Sequence, residues 1–117
     1  MLMLPSLMRV FICREPTDMR KSFDGLSSQC RNVLGQDPAS GHLFVFFNRS
    51  RNQVRILVWD RTGWAIWAKR LEQGRFQIAQ NAEIGASDLS LILEGIDLTK
   101  ARRRKRFVHL PDLSNAA

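Results

Sequence analysis

The sequence of 117 residues offers few side chains from which to build a metal or redox centre. It contains two cysteines, Cys13 and Cys30, and two histidines, His42 and His109. Neither histidine has a second ligand at the spacing that zinc sites use, and two isolated cysteines do not make a disulfide framework. We therefore expect no metal and no cofactor, and we expect both cysteines to be small buried hydrophobic residues.

Long hydrophobic runs are also missing. The longest are residues 1–5 and residues 43–47, far short of the roughly 20 residues that a membrane-spanning helix needs. The N-terminal run has no basic segment before it and no cleavage site after it, so it is not typical of a signal peptide. These observations predict a cytoplasmic protein without a membrane partner.

The motifs of common active sites are absent as well. No glycine-rich loop has the spacing that cradles phosphates, and no serine lies in a nucleophile elbow. Four carboxylates, Asp18, Asp24, Asp60 and Glu72, leave open a divalent-metal site of the nuclease type. Because Asp18 fits a helix cap and Asp60 the first position of a turn, we predict instead that the protein is not an enzyme and takes no small-molecule substrate.

Positive charge is what the sequence has in excess, and its distribution is uneven. The formal net charge is +7, from 18 basic and 11 acidic residues. Six basic residues fall within residues 100–106, and the remainder of the chain has 12 basic against 11 acidic residues. Such a block gains little from a neutral fold and is typical of a segment that binds a polyanion. Its members are Lys100, Arg102, Arg103, Arg104, Lys105 and Arg106.

A second group of basic residues is interleaved with tryptophans. The tryptophans could stack on unpaired bases, although tryptophans in strands more often belong to the core. Arginines on strands are likewise more often part of a solvated face. The basic residues are Arg49, Arg51, Arg55, Arg61, Lys69, Arg70 and Arg75, and the tryptophans are Trp59, Trp64 and Trp67.

Three consecutive strands joined by two tight turns are predicted at residues 42–47, 53–59 and 64–71. The strands are rich in Val, Ile, Phe and Trp, and turn-forming Asn, Asp, Ser and Gly separate them. A further strand is expected at residues 8–13 and a short edge strand at residues 76–78. Both faces of the meander carry bulky side chains, so one face should pack on a helix and the other should be covered or bind a partner.

The longer helix is predicted from Asp18 to Val33, capped by Thr17 or Asp18 and ended by Gly35. Its apolar stripe follows helical spacing and consists of Met19, Phe23, Leu26, Cys30 and Val33.

A short second helix is predicted at residues 88–94, capped by Ser87, with Leu89, Ile92 and Leu93 on one side. The fold class that follows is α+β, with a mainly antiparallel sheet of four or five strands packed on the longer helix. We predict a loose N-terminal lead-in at residues 1–7, one domain at residues 8–99, and a basic C-terminal segment and tail at residues 100–117. Within that tail, residues 107–110 could form a final strand or a docking segment.

Five segments in a fixed order form a further pattern: residues 16–26 (PTDMRKSFDGL), 37–46 (DPASGHLFVF), 59–63 (WDRTG), 69–76 (KRLEQGRF) and 91–97 (LILEGID). With the residues between them they span most of the chain, from about residue 8 to residue 97. This pattern resembles the TnpB-type accessory protein of the IS66 group of bacterial insertion sequences.

The resemblance implies an accessory role in transposition, beside a separate, larger transposase that carries the acidic catalytic residues. It identifies no catalytic residue in this chain. The residues that match its motifs and become candidates for a shared functional surface are Asp18, Met19, Arg20, Lys21, Lys69, Arg70, Gly74, Arg75 and Phe76.

The leading hypothesis is therefore a non-catalytic, DNA-binding accessory protein. Residues 100–106 would hold phosphates, and a second basic surface would consist of Arg20, Lys21, Lys69, Arg70 and Arg75. The alternative is a protein-interaction module that docks onto the transposase or another element-encoded protein. In that case the contact surface would be the half-apolar sheet face and the helix that carries Leu89, Ile92 and Leu93.

Overall fold

A five-stranded sheet with one helix on each face forms the described part of the protein, which in the computed structural model comprises residues 8–78 and 80–95. The strand order is β4-β3-β2-β1-β5, and the pairing is antiparallel except between β1 and β2. This confirms the predicted α+β class. The elements are β1 (Val10–Cys13), α1 (Phe23–Gln29, continued by a π-helical segment Cys30–Leu34), β2 (Leu43–Phe47), β3 (Gln53–Trp59), β4 (Trp64–Arg70), β5 (Glu83–Ile84) and α2 (Ala86–Leu93), with a 3-10 turn Pro38–Ser40 before β2.

The meander of β2, β3 and β4 is held by two turns whose first residues bond to the backbone. Asn48 Oδ1 accepts hydrogen bonds from the backbone N–H groups of Asn52 and Gln53, each at 3.0 Å. Asp60 Oδ1 accepts from the N–H groups of Thr62 and Gly63 at 3.2 and 3.1 Å. Asn and Asp at these positions favour turns for this reason, and the predicted three-strand meander is confirmed.

The two faces of the sheet have separate cores. On the α1 side, Leu26 and Cys30 pack with Phe11, Phe44 and other alternate strand residues. On the opposite side, Phe76 and three residues of α2 pack against the sheet. Those three residues, Leu89, Ile92 and Leu93, are buried. The idea that they and the bare sheet face form a partner-binding surface is therefore wrong, because each covers the other.

Helix α1 begins later than predicted. Its N-cap is Ser22. Of the two predicted capping residues, Thr17 is buried, and the Asp18 carboxylate bonds to Arg20 instead. Gly35 ends the helical segment in the left-handed conformation, as predicted.

The apolar stripe of α1 is only partly buried. The switch to π-helical hydrogen bonding after Gln29 changes the residue spacing. Leu26 and Cys30 face the core, whereas Val33, which lies within the π-helical segment, is 40% exposed. Phe23, at the first position of α1, is 42% exposed.

The edge strand is not where the sequence predicted it. Phe76 is buried outside any strand, and its backbone N–H donates to the Arg51 carbonyl at 2.6 Å. The edge strand beside β1 is Glu83–Ile84, where an exposed ion pair joins Glu83 to Arg9 at 2.7 Å. The second helix begins at Ala86, after Gly85 rather than after Ser87.

The predicted lead-in, the basic segment at residues 100–117 and the strand at residues 107–110 lie outside the described residues. Within residues 8–78 and 80–95, every helix is too short or too polar to cross a bilayer.

A buried polar network joins the loop after β1 to α1 and to β2. Gln29 Nε2 donates to Thr17 Oγ1 at 2.7 Å, and Lys21 Nζ donates to Gln29 Oε1 at 2.9 Å. The Thr17 backbone N–H donates to the Phe47 carbonyl at 2.8 Å. Thr17 and Gln29 are both buried, so their polar groups depend on these bonds for satisfaction.

Replacing Gln29 by leucine should lower the free energy of unfolding by about 1–3 kcal/mol, because the buried Thr17 hydroxyl then loses its donor. Urea unfolding measures the difference. Asn32→Ala removes an exposed amide from the same helical segment and should change stability by less than about 0.5 kcal/mol. Equal effects of the two substitutions would show that the network is not a stabilising element.

The C-terminal end of α2 is tied to β4 by one lysine. Lys69 Nζ donates to the Leu93 carbonyl at 2.8 Å. A cation at this end of a helix satisfies a free carbonyl and complements the helix dipole. Lys69 therefore has a structural role in addition to the predicted binding role.

Lys69→Met should reduce the free energy of unfolding by about 0.3–1 kcal/mol through loss of this contact. Arg70→Met is the matched control, because Arg70 is the next residue along the strand and its side chain is 67% exposed. Hydrogen exchange of the α2 amides should accelerate in the Lys69 variant alone. Acceleration of the same amides in both variants would assign the effect to net charge.

Candidate nucleic-acid interface

Loops from three parts of the chain converge at one end of the sheet, which we call the basic end. It comprises the loop after β1 (residues 14–22), the β2–β3 turn (residues 48–52) and residues 70–78. Parallel pairing of β1 with β2, and antiparallel pairing of β3 with its two neighbours, place these segments together. Backbone bonds from Leu71 to the Asn52 carbonyl, 2.8 Å, and from Phe76 to the Arg51 carbonyl, 2.6 Å, fasten the third segment to the second.

The basic end carries more positive than negative side chains. Its carboxylates are Glu15, Asp18 and Glu72. Its basic residues are Arg14, Arg20, Lys21, Arg49, Arg51, Arg70 and Arg75. Four of the five folded-body residues predicted for DNA binding therefore lie here, and Lys69 adjoins them at the end of β4.

Arg20 is already paired. Its guanidinium contacts the Asp18 carboxylate at 2.7 Å and remains 91% exposed. Hydrogen bonds from the Arg20 side chain and backbone lower the pKa of Asp18 to about 2. The same carboxylate, through side-chain hydrogen bonding, raises the pKa of Arg20. The pair thus holds its charges at any neutral or mildly acidic pH, and Arg20 contributes a partly balanced positive charge.

The other predicted DNA-binding residues differ in whether their charged groups already have a hydrogen-bond or ion-pair partner. Lys21 and Lys69 have their ammonium groups bonded to Gln29 and to the Leu93 carbonyl. Arg70 lies 3.6 Å from Glu72 in an exposed ion pair, which is worth little energetically. Within the described residues, the Arg75 side chain has no hydrogen bond or ion pair.

Arg55 of β3 helps to hold one segment of the basic end in place. Its Nη1 donates to the Lys21 carbonyl at 2.9 Å, which holds the loop after β1 against β3. Arg61 lies in the β3–β4 turn, at the opposite end of the sheet. Of the wider basic group, the structure therefore brings Arg49 and Arg51 to the basic end and separates Arg61 from it.

The tryptophans are not a stacking platform on the basic end. Trp59 and Trp64 pair at the opposite end of β3 and β4, with ring centroids 5.0 Å apart. Trp67 packs against the core on the α2 side. Trp64 does share an open surface hollow of about 690 Å³ with Lys21 and Phe23.

Local structure accounts for two of the candidate metal-binding carboxylates and for both cysteines. Asp18 pairs with Arg20, and Asp60 accepts backbone hydrogen bonds in its turn, which lowers its pKa. No three His, Cys, Asp or Glu side chains among the described residues converge as metal ligands. Cys13 and Cys30 are buried and unpaired with each other, as predicted, and burial raises the pKa of Cys30 to about 12.

Arg14 is the residue of this surface that the sequence did not indicate. It follows β1 directly, and its guanidinium Nη1 donates to the Gln80 carbonyl at 2.8 Å. The signal that could have found it is the parallel pairing of β1 with β2, which brings the residue after β1 beside the β2–β3 turn. No local sequence pattern specifies that pairing.

Comparison with known proteins places the chain in a family. The family model described as IS66 Orf2 like protein matches residues 8–103. An uncharacterized protein of Sinorhizobium fredii, y4hO, is 40% identical over 102 residues, covering 81% of this chain and 88% of the relative. A second uncharacterized protein of the same strain, y4jC, is 30% identical over 102 residues, covering 83% and 86%. No solved structure is significantly similar. The ordered motifs, the family model and these relatives agree: the chain belongs to the IS66 Orf2-like family, the accessory proteins of IS66-type insertion sequences.

Proposed function

We propose that this transposition accessory protein binds DNA without catalysing its cleavage, through the basic end and the basic residues 100–106. The observation that carries the proposal is the convergence at one end of the sheet of three separate segments that together contain seven basic residues and three acidic ones. Contacts between such side chains and phosphates supply most of the sequence-independent affinity of DNA-binding proteins.

The described part of the chain ends beside a residue of the basic end. The described fold ends at Gly95, whose backbone lies against Leu71, so close that a Cβ there would be 3.9 Å from Leu71 Cδ1. Leu71 itself belongs to the basic end. Residues 100–106 follow Gly95 by only a few positions, which supports a joint role for both regions in holding one polyanion.

A non-catalytic role fits the environments of Asp18 and Asp60, two of the four candidate carboxylates. A nuclease needs carboxylates free to hold metal ions, whereas Asp18 is bonded to Arg20 and Asp60 to its own turn. Catalysis in these elements is then the task of the separate transposase, which the family relationship implies.

A second candidate function is docking onto the transposase or another element-encoded protein. The exposed Phe23, beside Trp64 in the hollow on the α1 side, favours it. An apolar contact of this kind survives high salt, whereas phosphate contacts weaken steeply. A pull-down with the transposase in high and low salt therefore separates the two functions.

Full-length protein should bind a labelled duplex carrying the element's end, with an affinity that falls steeply as salt rises. Changing the six basic residues of 100–106 to glutamine should weaken binding and flatten the salt dependence by up to about 0.9 per lost phosphate contact. A scrambled duplex of equal length is the control for sequence preference. Absence of binding to either duplex at low salt would rule out the DNA-binding proposal and favour docking.

Asp18→Asn should tighten DNA binding, because it removes the negative charge beside Arg20 while keeping an oxygen to accept from the Arg20 backbone. The effect should be constant from pH 5 to pH 8, since a carboxylate with a pKa of about 2 stays charged throughout. Above the ordinary pKa of 3.8 the Asp18–Arg20 pair contributes fully to stability, and its contribution is lost as pH falls through about 2.

Asp60→Asn is the matched control for Asp18→Asn, because Asp60 also accepts backbone bonds in a turn but lies at the opposite end of the sheet. Fluorescence anisotropy with the same duplex measures both variants. Equal tightening would mean that only net charge matters, and no tightening by Asp18→Asn would remove Arg20 from the interface.

A further inference from the structure

A narrow cleft lies within the basic end, where the carboxyl ends of the parallel strands β1 and β2 meet. Its volume is about 210 Å³, and its lining includes Arg14, Glu15, Phe47, Arg49 and Arg51. Three of these residues, Arg14, Glu15 and Arg51, also line a second hollow of about 450 Å³. The first cleft is below the roughly 300–1,000 Å³ of small-molecule sites, a size that suits one compact group.

The charge in the cleft is unbalanced. Three arginines line it together with a single acidic residue, Glu15. Arg14 is fixed by its bond to the Gln80 carbonyl. The guanidinium groups of Arg49 and Arg51 have no hydrogen bond or ion pair with any residue in the described part of the chain. Like charges around one small cleft repel each other, and an anion bound there would reduce that repulsion.

The turn that carries Arg49 and Arg51 is ordered without a ligand. The Asn48 side chain accepts from two backbone N–H groups and donates to Asn52 Oδ1 at 2.6 Å. The Arg51 carbonyl accepts from the Phe76 N–H. Because neighbouring segments hold the backbone, the two arginines need little ordering when they bind, and this preorganisation favours affinity.

Arg51 occupies an unfavourable backbone conformation. Its φ is +59°, in the left-handed region where glycine and asparagine are the usual residues. Strain of this kind concentrates at functional sites. Arg61, with φ of +80°, is similarly strained in the β3–β4 turn but lines none of the clefts of the basic end. The combination of strain, free charge and a cleft therefore distinguishes Arg51.

We propose that this cleft binds one phosphate group of the DNA backbone. Arg49 and Arg51 are the ligands that contact the phosphate, and Arg14 forms a fixed positive wall. The planar guanidinium group can donate two parallel hydrogen bonds to phosphate oxygens, which suits this ligand better than a point charge. The inference rests on the proposed DNA binding and deepens it by locating a contact site on the folded body.

The first test compares Arg51→Gln with Arg61→Gln in the full-length protein. Both substitutions remove one positive charge from an exposed arginine at positive φ in a tight turn, so their effects on net charge and backbone strain match. Binding to the duplex is measured from low to high salt. Arg51→Gln should weaken binding equally for end and scrambled duplexes and reduce the salt slope by about 0.9, and Arg49→Gln should do the same. Arg61→Gln should leave the slope unchanged.

A second variant separates binding from folding. Arg51→Gly removes the strained side chain, so the melting temperature should equal or exceed that of the wild-type protein, while the affinity for DNA falls as in Arg51→Gln. A loss of affinity at an undiminished melting temperature cannot come from unfolding. Undiminished affinity of Arg51→Gly would overturn the phosphate site.

The outcomes distinguish this inference from the function on which it rests. If the wild-type protein binds no duplex at low salt, the proposed DNA binding fails and the phosphate site fails with it. If the wild-type protein binds, and Arg51→Gln and Arg61→Gln weaken binding equally, only the site is wrong and the protein binds through diffuse charge.

Discussion

The parallel pairing of β1 with β2 is the constraint on which the other features of the structure depend. Parallel neighbours cannot be joined by a hairpin, so a long connection must leave one end of the sheet and return to the other. That connection carries α1, which covers one face. The opposite face of the sheet is covered by α2 and Phe76. The parallel pairing also brings the carboxyl ends of both strands together, and this creates the cleft between the loop after β1 and the β2–β3 turn.

Much of the first family motif has a structural explanation. Thr17 is buried and joins the loop to Gln29 and to β2. A Cβ at Gly25 would lie 3.1 Å from the Lys21 side chain. The absence of a side chain at Gly25 therefore leaves room for Lys21 where the chain enters α1. In this chain the motif therefore fastens the loop to α1 and to β2, and Arg20 and Lys21 are part of that fastened loop.

The sequence was informative where local chemistry decides the structure. The turns at Asn48 and Asp60 and the strand Gln53–Trp59 follow from residue type and alternation, and the structure has them where they were predicted. The start of α1 was misplaced because Asp18 can either cap a helix or pair with Arg20, and only the folded loop selects the second option. Val33 was assigned to the core because a helical period of 3.6 was assumed throughout, whereas the π-helical segment alters that period.

The candidate site depended still more on distant contacts. Arg20, Lys21, Arg70 and Arg75 were found from motifs and charge, and the fold brings them to one end. Arg14 and the cleft could not be found, because they result from pairing between strands that are far apart in sequence. The separation of the tryptophans from the arginines has the same cause. Residues close together along a hairpin can lie at opposite ends of its strands.

Strand β4 lies at the edge of the sheet, and its outer backbone groups have no strand partner among the described residues. Seven residues long, it is more open to the addition of a strand from another chain than the two-residue β5 at the opposite edge. Charged side chains on an edge strand oppose such addition, which is the first step of aggregation. Lys69 and Arg70 supply them at one end of β4, whereas the other end presents Trp64 and Ile66. The same positive charges that we assign to a DNA-facing surface therefore also disfavour pairing of β4 with a strand of another copy.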